Sequence, residues 1–427
     1  MGILRSMNIG ISGLRASGGG MSVIGDNIAN AATTGFKASR AEFQDVLATS
    51  LKGIDGGDQF GAGTKLSHIK VLYNQGDISR TDSSTDLAIS GDGFFVVDAD
   101  FGRGYTRDGS LHFDAQGNLV NPDGFRVMGF EADPESGKIT NKMGAIKLGS
   151  TTIPAKSTKK VDVSMNLDSR EPIRQFDINK PDDTSSYSNS VTVYDNVGTA
   201  RVLTVYFNKT ADNNWEYHVT AGSDDVDGVE KGQLTEMASG NLIFTQEGLL
   251  QEEAVGSNSF SFNRGAKADQ QIEFNFGETI TEGGDGYKAS TQYGTKSAIA
   301  KHFQDGYTAG ALTSLSFNDS GILTAIYDNG EGRDISQIAV AKFENNEGLF
   351  KVGKNLLKES RSSGQAAVGK PSEQGRGNVL SKSIELSTTD IATEFVGLMT
   401  QQRNFQANAK AIQTADQMLN EVLNLKR

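Results

Sequence analysis

The chain has 427 residues, enough for about three domains with a sizeable core. Its 41 Lys and Arg against 53 Asp and Glu give a net charge of -12. No basic cluster could track a phosphate backbone, so a nucleic-acid partner is excluded. The lack of cysteine excludes disulfides, cysteine-held metals and a thiol nucleophile, and no apolar run of about 18 residues is present to insert into a membrane.

In chain order, the first element is a helix with a heptad seam. Met7, Leu14, Met21 and Ile28 fall seven apart, with Leu4, Ile11, Gly18, Gly25 and Ala32 as a second column. Gly10, Gly13, Gly18, Gly19, Gly20 and Gly25 interrupt it. Each glycine costs about 0.8–1 kcal/mol relative to alanine, roughly 5–6 kcal/mol together, so this helix should form only when packed. The same glycines would admit a neighbouring backbone. Asn30 opens the expected stop: Gly35 suits the left-handed C′ position and Phe36 the hydrophobic residue that follows in a Schellman motif. The start has neither a continuous apolar core nor a small-residue cleavage site, so no cleaved signal peptide is expected.

Residues 36–71 are polar and glycine-rich and read as a connector. Residues 72–145 change to short strands and tight turns, with Phe94-Phe95-Val96-Val97, Tyr105 and Leu119-Val120 separated by Asp108-Gly109, Gln116-Gly117-Asn118 and Asp123-Gly124. The same texture returns over 290–357, so the two stretches are expected to build one discontinuous inner β-domain. Between them, residues 146–289 carry seven strand-like runs of their own and read as an inserted β-barrel or sandwich. A second connector, 358–384, mirrors the first.

The chain closes on a second heptad helix. Ile391, Leu398, Phe405, Ile412 and Leu419 fall seven apart, with Phe395, Gln402, Ala409, Asp416 and Leu423 four residues after each. Thr388, Thr389 and Asp390 are capping candidates. Residues 1–35 and 385–427 are therefore expected to pair antiparallel, because the rest of the chain hangs from one end of both. The fold class is α+β and multidomain: a terminal helical coiled coil plus two mainly-β domains.

No constellation for catalysis, metal or cofactor stands out. His68, His112, His218 and His302 lie far apart without metal-ligand spacing. Asp182-Asp183 and Asp224-Asp225 lack aromatics that would desolvate one carboxylate, and Asp98 to Gly102 falls short of a calcium loop. The residues expected to carry function are the apolar columns as an assembly interface: Leu4, Met7, Ile11, Leu14, Met21, Ile28, Ile391, Phe395, Leu398, Phe405, Ile412, Leu419 and Leu423. Asn30, Gly35 and Phe36 form the helix stop.

Three stretches resemble the bacterial flagellar axial proteins of the rod and hook. They are Gly25-Asp26-Asn27-Ile28-Ala29-Asn30 with Thr34-Gly35-Phe36-Lys37; Asp86 to Phe95 with Tyr105-Thr106-Arg107-Asp108-Gly109; and Asn378 to Leu386 with Gln402 to Asn408 and Asn424 to Arg427. The large insert favours the hook branch, with the distal rod as runner-up. The resemblance implies a homopolymer of many identical subunits forming a flexible tube that couples motor and filament and transmits torque. It implies distal rod, hook cap and hook–filament junction proteins as neighbours. It also implies export through the flagellar type III apparatus to the cell surface. A reading of a different class is a secreted β-rich adhesin that uses the coiled coil to oligomerise.

Overall fold

The computed structural model describes residues 2–47, 61–133, 137–226, 230 and 232–425. Two compact units divide the chain. One comprises Met1–Gly149, Ser314–Ala325 and Gly332–Arg427; the other comprises Ser150–Thr313 and Ile326–Glu331.

The first unit holds both terminal helices, Gly2–Ala29 and Ile391–Leu425, and the inner β-domain. In that domain the strands Gly332–Ile338, Arg126–Ala132, Phe94–Ala99, Gly102–Thr106, Leu356–Lys358 and Phe350–Gly353 lie side by side in that order. The run Phe94 to Val97 is apolar at every position because the strand is covered on both faces. Phe95 and Val97 enter a core with Leu87, Ile89, Leu119, Val127, Ile338 and Val340. Phe94 and Val96 enter another with Tyr105, Ala341 and Phe343. Within the second, Tyr105 and Phe343 meet edge to face at 4.8 Å, a geometry that places the positive ring edge on the negative face.

Both stretches expected as connectors carry strands instead. Ser39–Leu47 and Gly61–Val71 form an antiparallel hairpin. Asn378–Ser381 pairs with Leu87–Ser90, and Ser383–Glu385 pairs with Ile78–Arg80. The hairpin escapes pattern reading because it is largely exposed, so its apolar and polar residues do not alternate. Gly63, at φ +102°, lets the hairpin lie on the N-terminal helix where a side chain would collide with Ser12. Ser12 Oγ accepts from Thr64 N at 3.1 Å and donates to Ile9 O at 2.7 Å.

The second unit is a two-sheet sandwich, not a closed barrel. A five-stranded antiparallel meander runs Tyr187–Tyr194, Ala200–Ala211, Asn214–Gly222, Leu234–Phe244 and Leu250–Asn258. Glu273–Asn275, Lys160–Asn166 and Ala298–Gln304 form the other sheet. Val161, Val163, Val205, Phe207, Trp215, Tyr217 and Phe276 share its core. The Trp215 indole donates to Gln292 Oε1 at 3.0 Å, so its one polar atom is satisfied. Arg201, also fully buried, is paired with Asp195 and Asp225 and donates to Asn263.

This unit runs to Thr313, beyond the expected limit at 289, because Ala298–Gln304 pairs with Lys160–Asn166. The strand is mostly exposed and its composition carries no alternation. Phe260, in the core of this unit, makes an isolated bridge to Gln270. The edge strand Leu250–Asn258 is likewise mostly exposed, with most of its side chains facing solvent.

Glu253 on that edge strand is an exception. Burial pushes its carboxyl up to about 7, against a backbone hydrogen bond from Phe276, with Glu282 and Glu273 adding to the rise. Its Oε1 has no partner. A raised carboxyl favours the protonated folded state, so its contribution is complete below pH 4.5 and is lost as pH rises to about 7. Glu253→Gln should flatten this slope. Above pH 7 it should stabilise the chain by up to roughly 3 kcal/mol, with little change below pH 4, read from thermal midpoints across pH.

Candidate assembly interface and its anchor

The terminal helices lie antiparallel. Gly10 faces Ile412, Gly13 faces Asn408, Gly20 faces Gln401, and Ile24 faces Gly397. At the far end Asn27 Nδ2 donates to Glu394 Oε1 at 2.8 Å. Glycine is used here for approach: a Cβ on Gly10 would sit 2.7 Å from Ile412 Cγ1, and one on Gly13 would sit 2.6 Å from the Asn408 amide. Gly19 packs on Leu66 of the hairpin, whereas Gly18 and Gly25 have nothing within 4 Å. Asp390 caps the C-terminal helix, its Oδ1 accepting from Ala392 N at 2.9 Å and Thr393 N at 3.3 Å. Those bonds hold its carboxyl below the usual range.

The faces that meet coincide with the expected columns only in part: Ile412 packs on Gly10, and most of the other column residues lie beside the seam. On the N-terminal helix the buried positions are Gly10, Gly13, Ala16, Ser17, Gly20, Val23 and Asn27. Leu4 is 56 % exposed, and Met7, Ile11, Leu14, Met21 and Ile28 are half-buried. On the C-terminal helix, Glu394, Gln401, Asn408 and Ala415 form a seven-residue column, of which the first three meet the partner helix and Ala415 is buried. Ile391, Phe395 and Phe405 are 50, 48 and 39 % exposed, and Leu398, Ile412 and Leu419 are half-buried. The Leu423 side chain lies outside the described residues. Small and polar side chains, with Ile412 and Ile24, fill the seam inside one subunit, and most of the large apolar ones stand beside it. Among the described residues no helix is long and apolar enough to cross a membrane.

The helix stop also works differently from a Schellman motif. The helix ends at Ala29, and Asn30 closes it by donating from Nδ2 to Asp26 O at 2.9 Å. Gly35, at φ +67°, lies too far beyond the helix for a C′ position. Its N–H donates to Glu385 O at 2.8 Å. A Cβ there would come within 2.6 Å of the Arg107 and Asp108 backbone, so close approach, as well as the left-handed conformation, demands glycine. Phe36 is buried beneath the Lys351 ammonium, 5.3 Å from the ring centre.

The anchor lies next to that stop. Glu385 is fully buried; Lys37 Nζ reaches its Oε1 at 2.6 Å and Arg107 Nη1 its Oε2 at 3.1 Å. Gly76 N donates to Oε1 at 2.8 Å. Arg107 also donates to Ile89 O at 3.2 Å and Gly91 O at 2.7 Å. Burial pushes both cations below their ordinary values, and Glu385 pulls each back up. Asn27 completes the junction: its amide donates to Ser39 O at 2.7 Å and accepts from Ser39 N at 2.8 Å. Asn27, Lys37, Arg107 and Glu385 were not among the residues expected to matter. Polar residues in short glycine-punctuated motifs were the available signal.

Removing one charge of a buried set strands the others. Glu385→Gln should therefore destabilise the first unit by about 3–5 kcal/mol, measured by denaturant unfolding. Gly35→Ala should destabilise by more than about 1 kcal/mol, whereas Gly18→Ala, which meets open space, should stabilise the isolated subunit by about 0.8–1 kcal/mol.

Family models match four consecutive parts of the chain. They are the flagella basal body rod protein (residues 7–37) and the flagellar hook protein FlgE/F/G D1 domain (88–168). The flagellar basal body protein FlaE D2 domain (166–307) and the flagellar basal body rod FlgEFG protein C-terminal region (380–425) follow. The flagellar hook protein FlgE of Escherichia coli is 33 % identical over 97 % of this chain and 98 % of its own length. That of Borreliella burgdorferi is 33 % identical over 99 % of this chain and all of its own. The crystal structure of Helicobacter pylori flagellar hook protein FlgE2 shares the fold, with a TM-score of 0.53 over 72 % of this chain and all of that one, at 15 % identity. Full-length identity at this level and hook and rod models along the chain agree with the geometry above: the chain belongs to the flagellar hook protein FlgE family.

Proposed function

We propose that the chain is the repeating, non-catalytic subunit of a flexible helical tube, the hook that joins the rotary motor to the filament. The observation that carries this is the exposed apolar surface of the C-terminal helix: Ile391, Phe395 and Phe405 of the columns, with Val396, Met399 and Met418 beyond them, all face solvent in the single subunit. Apolar exposure of this kind marks a surface that another protein covers. A heterologous contact between identical subunits generates a helical polymer when the rotation does not close. Neighbouring helices packed on these columns form an inner tube. The polar, glycine-rich β-surfaces make smaller and wetter contacts, which lets the tube bend while it transmits torque.

Rod, cap and junction proteins at the two ends of the tube are the further partners this reading expects. The chain is exported through the flagellar apparatus. Six glycines in the N-terminal helix keep that segment weakly structured in transit, and assembly supplies the packing that orders it.

Concentrated protein should form curved tubes in negative-stain images. Straight tubes would assign the rod instead, and discrete particles would refute a polymer. Phe395→Asp combined with Phe405→Asp should leave the β-rich circular dichroism intact and raise the critical concentration for tubes by roughly a hundredfold or more, since each buried Phe contributes about 1.5–3 kcal/mol.

A further inference from the structure

A cavity of about 320 Å³ lies between the end of the N-terminal helix and the strand Phe350–Gly353, lined by Phe36, Tyr73, Phe94, Arg107 and Lys351 among others. Two donors on its lining residues have no partner: the Tyr73 hydroxyl and Arg107 Nε, both buried. Arg107 is itself more than nine-tenths buried. Lys351 Nζ touches Ser39 Oγ at 3.1 Å and the Phe36 ring, and among the described residues no carboxylate lies within salt-bridge distance of it. Burial holds its amine below the ordinary lysine range, with only Asp26 opposing.

The cations of this lining are not matched alike. Lys37 and Arg107 share Glu385, with Asp92 also acting on Arg107, and Lys354 is matched by Asp123, whereas Lys351 has only the more distant Asp26. Lys351 is thus an unbridged ammonium in a chain whose net charge is -12. Two unpartnered donors and one unbridged ammonium on the lining of one cavity are the chemistry of an oxyanion site.

The border of the cavity identifies the source of that anion. Phe350–Gly353 is an edge strand, paired on one side only among the described residues, and all four of its residues are exposed. Lys351 and Gly353 line the cavity, while Phe350 and Val352 alternate with them and stay in solvent. Open backbone groups with exposed apolar side chains fit an extended polypeptide, which a free ion would not use.

We propose that this cavity is a socket for a carboxylate side chain of a second copy of the chain, delivered on an extended segment that lies along the edge strand Phe350–Gly353. The proposal rests on the polymer reading, and its partner is fitted by charge: the subunit surface is acidic and this site is cationic. The socket adds a salt-sensitive contact outside the apolar helix packing.

The test compares wild type, Lys351→Gln and Lys351→Arg by pelleting and by thermal unfolding of unassembled protein. Expected is an unchanged or higher thermal midpoint for Lys351→Gln, a critical concentration raised roughly tenfold at low salt, and recovery in Lys351→Arg. Wild-type assembly should weaken with salt more steeply than that of Lys351→Gln. Equal assembly of wild type and Lys351→Gln overturns the socket, as does a midpoint that falls in step with assembly. A midpoint raised by inorganic phosphate at constant ionic strength in wild type but not in Lys351→Gln, with assembly unaffected, assigns the site to a free anion instead. Failure of wild type itself to polymerise refutes the polymer reading rather than the socket.

Discussion

The carboxylate of Glu385 is the constraint on which the first unit depends. It binds Lys37 and Arg107 across 348 and 278 residues of chain, and its own backbone carbonyl receives the N–H of Gly35. Three segments, each with its own short motif, thereby meet at one buried point. Burying three charges is a poor source of net stability, because desolvation offsets most of the Coulomb attraction. It does penalise every arrangement that leaves one of the three unpaired. A register slip in Ser383–Glu385, or a helix stop displaced by one residue, would strand a charge.

From this point the outgoing and returning chain are set in parallel accounts of the same junction. Gly35 must be glycine because the Arg107–Asp108 backbone passes against it. Asn27 ties the helix end to the first residue of the hairpin and to Glu394 on the other helix. Phe36 O receives the N–H of Thr388, and Thr388 Oγ1 receives that of Ala38, just ahead of the Asp390 cap. The direction in which both helices leave the β-domain follows from these short polar bonds.

Strong periodicity made the helices and the central strand Phe94–Ala99 readable from residues alone. The run Phe94 to Val97 has no polar interruption because two cores share it, and the helical columns repeat without a break over four or five heptads. Exposed strands were not readable. Ser39–Leu47 and Gly61–Val71 rest on the helix by one side and offer no alternation, so their polarity resembled a linker. The anchor was hidden for another reason: the partners of Glu385 are set by tertiary contact, and nothing local in Ser-Ile-Glu-Leu distinguishes a buried carboxylate from a solvated one. The apolar columns mark side chains that the helix pair leaves exposed or half-buried, since apolar spacing identifies which positions need covering and not what covers them.

The side chains left outside the internal seam carry the functional point. A helix pair that used its largest apolar residues on each other would be a finished coiled coil with little left for a neighbour. Here the internal seam is made of Gly10, Gly13, Ala16 and Gly20 against Gln401, Asn408 and Ile412, narrow enough that two backbones come close and weak enough in apolar area to need further support. Phe395, Met399 and Phe405 are thereby kept on the outside. The glycines that weaken the helix in isolation are the same residues that leave the large apolar side chains uncovered in the single subunit. Poor intrinsic helix propensity and capacity for assembly are thus two consequences of one choice of side-chain size.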